Sequence, residues 1–489
     1  MDTTNLHRIA VEAMRSRGLL PAFAPQALQE AEAARLVGPE RNGTIRDLRH
    51  LTWFSIDNDD TRDLDQLSVA EPLAAGTTRL RVAVADVDAM VRPGGAVDGH
   101  AAVNTTSVYT AAGVFPMLPE VLSTDLTSLH EGQERLAVVV DMQVEADGTV
   151  SASDVYRAAV LNRAKLTYDA VSAWLDGVGP PPSQIAKVPG LEDQVRLHDT
   201  LAGKLRQWRQ TRGALNVNTV SARPVFEDGQ LVDLRPDEKN RAKDLIADLM
   251  IAANGATARF LVDKGFPSLR RFLQAPRRWD RIVALASSHG VQLPAAPDAL
   301  ALDRFLSARR LADPAGFADL SLAVVKMLGS GEYAAAPAAT TGAAGATGLG
   351  HFGLAVNDYA HSTAPNRRFP RPGDAAPLEG LPRGRGAALF RRGADRDCPA
   401  LHAAGRQRQQ GRAPGAEGRR GLAAAGAHRR GVQRHRHRRR DQGHLRAHQQ
   451  PHAGRPGGAR FRRDGRGRHG ARQAVGGGCR KSFIDFEHA

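Results

Sequence analysis

Leu51-Thr52-Trp53-Phe54-Ser55-Ile56, followed by Asp57-Asn58-Asp59-Asp60-Thr61-Arg62-Asp63-Leu64-Asp65, sets five carboxylates within nine residues directly behind an apolar run. The run reads as a strand, so the acidic residues gather at a strand end. Carboxylates this close repel one another unless something cationic sits between them. Oxygen-only ligands suit a hard ion such as Mg²⁺, which takes one or two carboxylates and leaves its other positions to water and phosphate oxygens. Phosphate chemistry is the implied use, and a solvated turn is the plain alternative. A calcium loop is excluded, because an EF-hand counted from Asp57 needs Gly and Glu where the chain has Arg62 and Ser68.

The 489 residues suffice for two or three domains and a sizeable core. A net charge of +15 would ordinarily suggest a nucleic-acid partner. Its distribution removes that inference. Residues 371–489 hold 27 Arg, one Lys and nine Asp plus Glu, a charge of +19, so residues 1–370 carry −4. Both cysteines, Cys398 and Cys479, also lie beyond residue 370. A cysteine-free body fits a reducing compartment. With no basic-then-apolar leader after Met1 and no run of 18 apolar residues, the expectation is a soluble cytoplasmic protein, monomeric and without a membrane partner.

Leu6, Ile9, Ala10, Ala13 and Met14 recur at helical spacing, with Thr3, Thr4 or Asn5 as cap and Gly18 as stop. Pro25 opens a second expected helix carrying Leu28, Ala31 and Leu36. Residues 1–48 therefore read as a helical piece, either a helix-turn-helix or an appendage packed on the next domain. From Leu51 to Val150 the pattern is mainly extended, clearest at Leu80–Ala85 and Leu136–Val140. Beyond Gly179-Pro180-Pro181-Pro182 it turns largely helical, best in Lys243–Phe260, where Leu245, Ile246, Leu249, Met250 and Ala253 share a face. Ala334–Gly350 reads as a loop, or a helix and then a loop. Strands first and helices later predict an α+β fold.

After Arg371 the composition becomes Arg, Gly, Ala, His, Pro and Gln without sustained periodicity. A disordered basic tail is one reading. A GC-rich gene translated out of frame is the other, and the one this sequence favours. Shifting Arg371–Ala376 by one base permits Asp-Leu-Val-Thr-Gln-Arg, and Gly431–His444 permits Val-Phe-Ser-Gly-Ile-Val-Thr-Gly-Ala-Ala-Ile-Lys-Gly-Thr. Each shifted codon has a free middle base, so only the length of the sensible run persuades.

Over roughly Trp53 to Pro370 the chain resembles the RNase II, or RNB-domain, exoribonucleases. Ser55-Ile56-Asp57 through Asp63-Leu64-Asp65 is similar to their acidic signature. Val84-Ala85-Asp86-Val87, Thr106-Ser107-Val108-Tyr109 and Phe115-Pro116-Met117-Leu118-Pro119 follow in the family's order. Leu122-Ser123, Ser128-Leu129 and Ala164-Lys165-Leu166-Thr167-Tyr168 continue it. His351-Phe352-Gly353-Leu354-Ala355, Tyr359-Ala360-His361 and Ala364-Pro365-Asn366-Arg367-Arg368-Phe369-Pro370 resemble the motif that brings an arginine to the active site.

The resemblance implies an RNB catalytic domain over residues 49–370, a β-sheet core surrounded by helices. In the shifted frame it implies the end of that domain and an S1-type OB fold. The family's cold-shock domains do not fit in about 48 residues, so the helical piece would replace them. The implied activity is 3'-to-5' hydrolysis of single-stranded RNA to nucleoside 5'-monophosphates. Asp57, Asp63 and Asp65 would form the metal centre for Mg²⁺, or Mn²⁺ in its place. Gln66 stands where the family has a fourth carboxylate; its amide oxygen can coordinate but adds no negative charge. Arg367 would stabilise the transition state, with Arg368 beside it on the substrate. Tyr109 would pack near the terminal nucleotide, whereas without the resemblance it reads as a core tyrosine. His351 and His361 read as structural or RNA-contacting. A catalytically impaired RNA-binding protein is the competing expectation.

Overall fold

Successive residues in the strands after Leu51 face two different surroundings, because side chains alternate across a pleated strand. The chain's structure, a computed structural model, describes residues 3–35, 45–110, 112–217, 221–227, 230–237, 239–336 and 350–369. Helices α1 (Thr3–Arg15) and α2 (Pro25–Ala33) precede strands β1 (Arg46–Asp47), β2 (Trp53–Asp57), β3 (Gln66–Pro72) and β4 (Thr78–Ala85). Then come α3 (Ala96–Asn104), β5 (Val108–Thr110), β6 (Gly113–Phe115), β7 (Glu134–Val144) and β8 (Val150–Thr167). Antiparallel pairing links β2 to β3, β3 to β4, β4 to β7 and β7 to β8. β8 closes the ring. Through Leu161 it lies along β7, and from Asn162 onward it runs parallel to β2.

Trp53, Leu67, Val69, Ala83, Ala85, Val139 and Val160 form a cluster drawn from the strands, as residues filling the ring's interior must. Their neighbours Phe54, Ile56, Val82, Val84, Val140 and Leu166 turn outward onto helices. These are α4 (Tyr168–Leu175), α5 (Ser183–Lys187), α6 (Leu191–Gln210) and α7 (Arg241–Asp263). Asn240 caps α7 by accepting from the Lys243 N–H, and Leu245, Ile246, Leu249, Met250 and Ala253 are buried as their spacing predicts. By length and composition α7 could cross a membrane, but 78% of its apolar window is buried inside the protein.

Later elements are the hairpin β9 (Ser221–Glu227) and β10 (Gln230–Asp237), then β11 (Ser268–Phe272), α8 (Trp279–Ser288), α9 (Ala299–Ala312), α10 (Phe317–Leu328) and β12 (Glu332–Ala336). Two strand pairs thus interrupt the region expected to be largely helical. Pro224, Pro236 and the interspersed charges obscure alternation in the hairpin. The expected loop or helix from Ala334 is corrected at its start, because Ala334–Ala336 pair with β11. An alanine run follows whichever partner the tertiary structure offers. Residues 337–349 and 371–489 lie outside the described residues, as do Leu36, both cysteines and the span read as frame-shifted.

The first 48 residues include the two expected helices but also β1, which pairs with β8. Ala10 and Met14 of α1 pack on Phe115, and Ala27 and Ala31 of α2 pack with Val87, Val97, Ala101, Met117 and Leu118. Leu28, expected on the apolar face, is 43% exposed, and Ala13 is half-buried. This is the appendage arrangement. It bears on α3, whose first turn receives Glu30: the carboxylate accepts from the Ala96 N–H at 2.6 Å.

Gly148, in the turn between β7 and β8, has φ +88°, and an added Cβ would lie 2.3 Å from the Lys204 carbonyl oxygen of α6. Gly190, ahead of α6, has φ +77° but open space around it. Gly190→Ala should therefore cost about 1 kcal/mol for its left-handed backbone alone. Gly148→Ala should cost about 2–4 kcal/mol in urea unfolding, because a backbone contact cannot yield. Equal losses would contradict the close approach of β7–β8 to α6.

Candidate active site

β2 ends at Asp57 and β3 begins at Gln66, so the acidic loop caps one end of the ring. Asp57 pairs there with Thr167 at the end of β8, and the Ala85 N–H at the end of β4 donates to the Asp65 carbonyl at 2.9 Å. The loop is not a free solvated turn. Lys165 Nζ donates to the carbonyls of Asp59 at 3.0 Å and Thr61 at 2.6 Å. Ser128 Oγ donates to the Arg62 carbonyl at 2.7 Å and accepts from the Leu64 N–H at 3.0 Å. Thr61 Oγ1 donates to Asp57 Oδ1 at 2.8 Å. Two backbone-binding side chains, from β8 and from the loop before β7, thus hold the carboxylates in one arrangement.

A second segment arrives from far along the chain. Phe369 N–H donates to the Thr105 carbonyl at 2.7 Å, and the Arg367 carbonyl accepts from Ser107 N–H at 2.9 Å and Thr106 Oγ1 at 3.0 Å. Thr105 ends α3 with φ +59°, a left-handed conformation that is rare for a β-branched residue. Asn366 is fully buried, and its Oδ1 accepts from Thr127 Oγ1 at 2.6 Å. Held this way, the segment meets the acidic loop: Asp65 Oδ1 accepts from the Asn366 N–H at 3.0 Å, and Asp65 Oδ2 from Arg367 Nε at 2.8 Å. The bonded pair is 302 positions apart in sequence.

Asp65 is 2% exposed, and burial pushes its carboxyl up to about 7 against the pull of Arg367 and with a further push from Asp63. Asp63 is raised too, first by burial, with Arg367 pulling back and Asp57 adding repulsion. Partial burial opposes the Arg367 charge, but Asp65 outweighs it and the guanidinium stays ionised. Desolvation holds the hydroxyls of Tyr109 and Tyr168 protonated, each with an aspartate beside it. Three carboxylates, two phenols and one guanidinium therefore share one electrostatic neighbourhood.

The other sequence-derived candidates separate. Tyr109 is no core residue: it is 45% exposed, with its hydroxyl 3.4 Å from Asp63 Oδ2. Gln66 is 8% exposed at the start of β3, with its backbone opposite Val84. Arg368 pairs its backbone with Thr106, and its charge acts on Tyr359 and His361. His361 is buried with Nδ1 2.9 Å from the Tyr333 hydroxyl, and His351 caps a short turn by accepting from the Leu354 N–H. Burial lowers both imidazoles, which suits structural roles. Sequence reasoning assigned no task to Ser128 or Lys165, which hold the backbone of the acidic loop, to Thr127 and Asn366, whose side chains bond each other, or to Tyr168. A cavity of about 880 Å³ lies among Trp208, Arg209, Asp248, Arg259, Leu273 and Phe352, and none of Asp57, Asp63, Asp65 or Arg367 lines it.

The sequence sets Asp57, Asp63, Asp65 and Gln66 around an ion. Among the described residues, however, no three His, Cys, Asp or Glu side chains form a ready cage. Asp65 turns both oxygens onto Asn366 and Arg367. The donor set nonetheless fits Mg²⁺, which needs only one or two carboxylates when phosphate supplies further oxygens. Asp57 and Asp63 are half-buried, repel one another, and meet that need.

Comparison with known proteins agrees with this geometry. The chain is 34% identical over 327 residues to a ribonuclease R of Vibrio parahaemolyticus, covering 66% of this chain and 38% of the relative. It is 32% identical over 339 residues to an exoribonuclease 2 of Cronobacter sakazakii, covering 68% and 50%. The chain thus spans half or less of the length of these curated relatives. Mycoplasma genitalium RNase R, solved with ribose-methylated single-stranded RNA, superposes with a TM-score of 0.70 at 19% identity, covering 82% of this chain and 62% of that one. Yeast Ssd1, described as a pseudonuclease, superposes at 0.59 with 15% identity, covering 80% and 49%. Those two likenesses show the fold alone. The RNB domain itself matches residues 45–370, from the residue before β1 to the residue after Phe369, and the chain belongs to the RNB, or RNase II, family.

Proposed function

We propose that this chain is a hydrolytic 3'-to-5' exoribonuclease that acts on single-stranded RNA and releases nucleoside 5'-monophosphates. The observation that carries the proposal is the meeting of Asp65 with Arg367 beside Asp57 and Asp63. Water attacks the terminal phosphorus. The new P–O bond forms as the bond from phosphorus to the 3' oxygen of the preceding nucleotide breaks; that oxygen takes up a proton, and the phosphate leaves on the 5' carbon of the released nucleotide. Asp57 and Asp63 would hold Mg²⁺ or Mn²⁺, and an ion so bound supplies charge neutralisation and a more acidic water. Arg367, fixed at Nε, presents its remaining N–H groups to the phosphate. The open ring of Tyr109 offers a stacking surface, which contributes about 1–3 kcal/mol per base whatever the base.

A second reading is supported by Gln66: a site one negative charge poorer could bind RNA without turnover. The fold does not separate the two, since its neighbours include a ribonuclease and a pseudonuclease. Degradation of 5'-labelled single-stranded RNA with Mg²⁺ does. The chain should release mononucleotides and its Asp65→Asn variant should lose at least about 10²-fold in rate, the scale for losing a correctly placed group that stabilises charge in the transition state. Equal, negligible product from both would favour the binding protein.

A cytoplasmic location belongs to the same proposal and is supported by the cysteine-free composition of residues 1–370. So does the out-of-frame reading of residues 371–489, which gains support because the RNB match stops at residue 370, where the composition changes. Sequencing the gene across the codons for Phe369–Arg371 should reveal one lost or gained base. An uninterrupted frame shared by independent isolates would refute it.

A further inference from the structure

We infer that Asp65 is a positioning residue that aims Arg367 at the substrate phosphate, and that the metal is left to Asp57 and Asp63. The inference rests on the phosphodiesterase reading above and changes the division of labour within it. Asp65 is the most buried of the three aspartates, and each of its oxygens already accepts from a protein N–H: Oδ1 from Asn366 at 3.0 Å and Oδ2 from Arg367 Nε at 2.8 Å. Those donors belong to consecutive residues, so the carboxylate fixes both the path of the backbone and the direction of the side chain. The remaining degrees of freedom are also taken. The Arg367 carbonyl is held by Ser107 and Thr106, and the Asn366 amide by Thr127.

A guanidinium bonded through Nε keeps its terminal nitrogens free as a planar fork, the geometry that matches two phosphate oxygens. The Arg367 side chain is 36% exposed, so the far end of that fork reaches solvent while Asp65 does not. Asp57 and Asp63 differ from Asp65 in the way that matters. Both are half-buried; Asp57 Oδ1 accepts from Thr61 Oγ1 and the Asn58 N–H, and the hydroxyl near Asp63 Oδ2 is 3.4 Å away. Among the described residues, neither carboxylate is bound to a cation at hydrogen-bond distance, whereas Asp65 is. An ion drawn to this site therefore displaces no protein cation at Asp57 or Asp63, whereas at Asp65 it would compete with the Arg367 pair for the same carboxylate.

Mn²⁺ titration followed by electron paramagnetic resonance, on the full chain without RNA, separates the roles. Asp57→Asn and Asp63→Asn should each weaken Mn²⁺ binding by at least about tenfold, while Asp65→Asn leaves it within about threefold. An Asp65→Asn loss as large as that of Asp57→Asn overturns the inference. Single-turnover cleavage supplies the independent arm. Asp65→Asn combined with Arg367→Lys should be no slower than the worse single variant by more than about threefold, because a unit is lost only once. Multiplying losses would overturn the inference while leaving the nuclease reading intact. Unchanged Mn²⁺ affinity in Asp57→Asn and Asp63→Asn, with the kinetic coupling retained, would instead remove the metal reading and leave the positioning role standing. Arg367→Lys alone, which keeps every aspartate, guards against an unfolded Asp65 variant: a rate loss of at least about a hundredfold at unchanged Mn²⁺ affinity supports the aimed fork, and a loss under about threefold overturns it.

Discussion

One buried carboxylate joins the two ends of the catalytic region. Asp65 can accept from Asn366 and Arg367 only because the ring of strands brings the β2–β3 loop and the segment after Ala364 to the same end. Leaving that carboxylate unpaired would cost several kcal/mol, so the fold and the pair require each other. The long bent β8 closes the ring, α4, α6 and α7 cover its outer face, and the acidic loop takes its shape from Lys165 and Ser128. The proposed phosphate site would then be set during folding, and substrate need not organise it.

The first 33 residues contribute to the same end through a relay of contacts. α2 bonds the first turn of α3 through Glu30, and the Asn104 amide at the end of α3 exchanges hydrogen bonds with the Leu20 backbone. Thr105 then turns left-handed and starts the strap that carries Tyr109 and holds the Arg367 backbone. Strain at Thr105, about 1–3 kcal/mol for such a conformation, is tolerated because both neighbours of the strap are fixed. The helical piece therefore supports the strap beside the site.

Much of this was legible in the chain. The apolar run before Asp57 and the β-branched runs at Leu80–Ala85 and Leu136–Val140 declare buried strands, and the face of α7 declares its burial. The acidic loop and Arg367 were legible as candidates because several motifs occur in one order. Their roles relative to each other were not. Nothing local to Asp65 distinguishes it from Asp57 or Asp63; the difference arises from a partner 302 residues away. Lys165 and Ser128 were silent because they act on backbone groups and carry no pattern of their own, and Thr127 because its partner, the Asn366 side chain, lies 239 residues away. Strands β9–β12 were missed because proline, charge and alanine mask alternation, and pairing settles their state. The overall basic charge was misleading as a guide to the site, whose neighbourhood is dominated by aspartate.

The resemblance sets a carboxylate where this chain has Gln66, and the proposed separation of Asp65 from the metal bears on that difference. If two carboxylates and the phosphate suffice for one ion, a neutral residue at position 66 is tolerated. The most direct measurement is a crystal structure of the chain with Mn²⁺ and a short non-hydrolysable RNA, with the ion located by anomalous scattering. The account predicts an anomalous peak within coordination distance of Asp57, Asp63 and a phosphate oxygen, with Arg367 Nε still on Asp65. A peak bonded to Asp65, with Arg367 swung away, would contradict it.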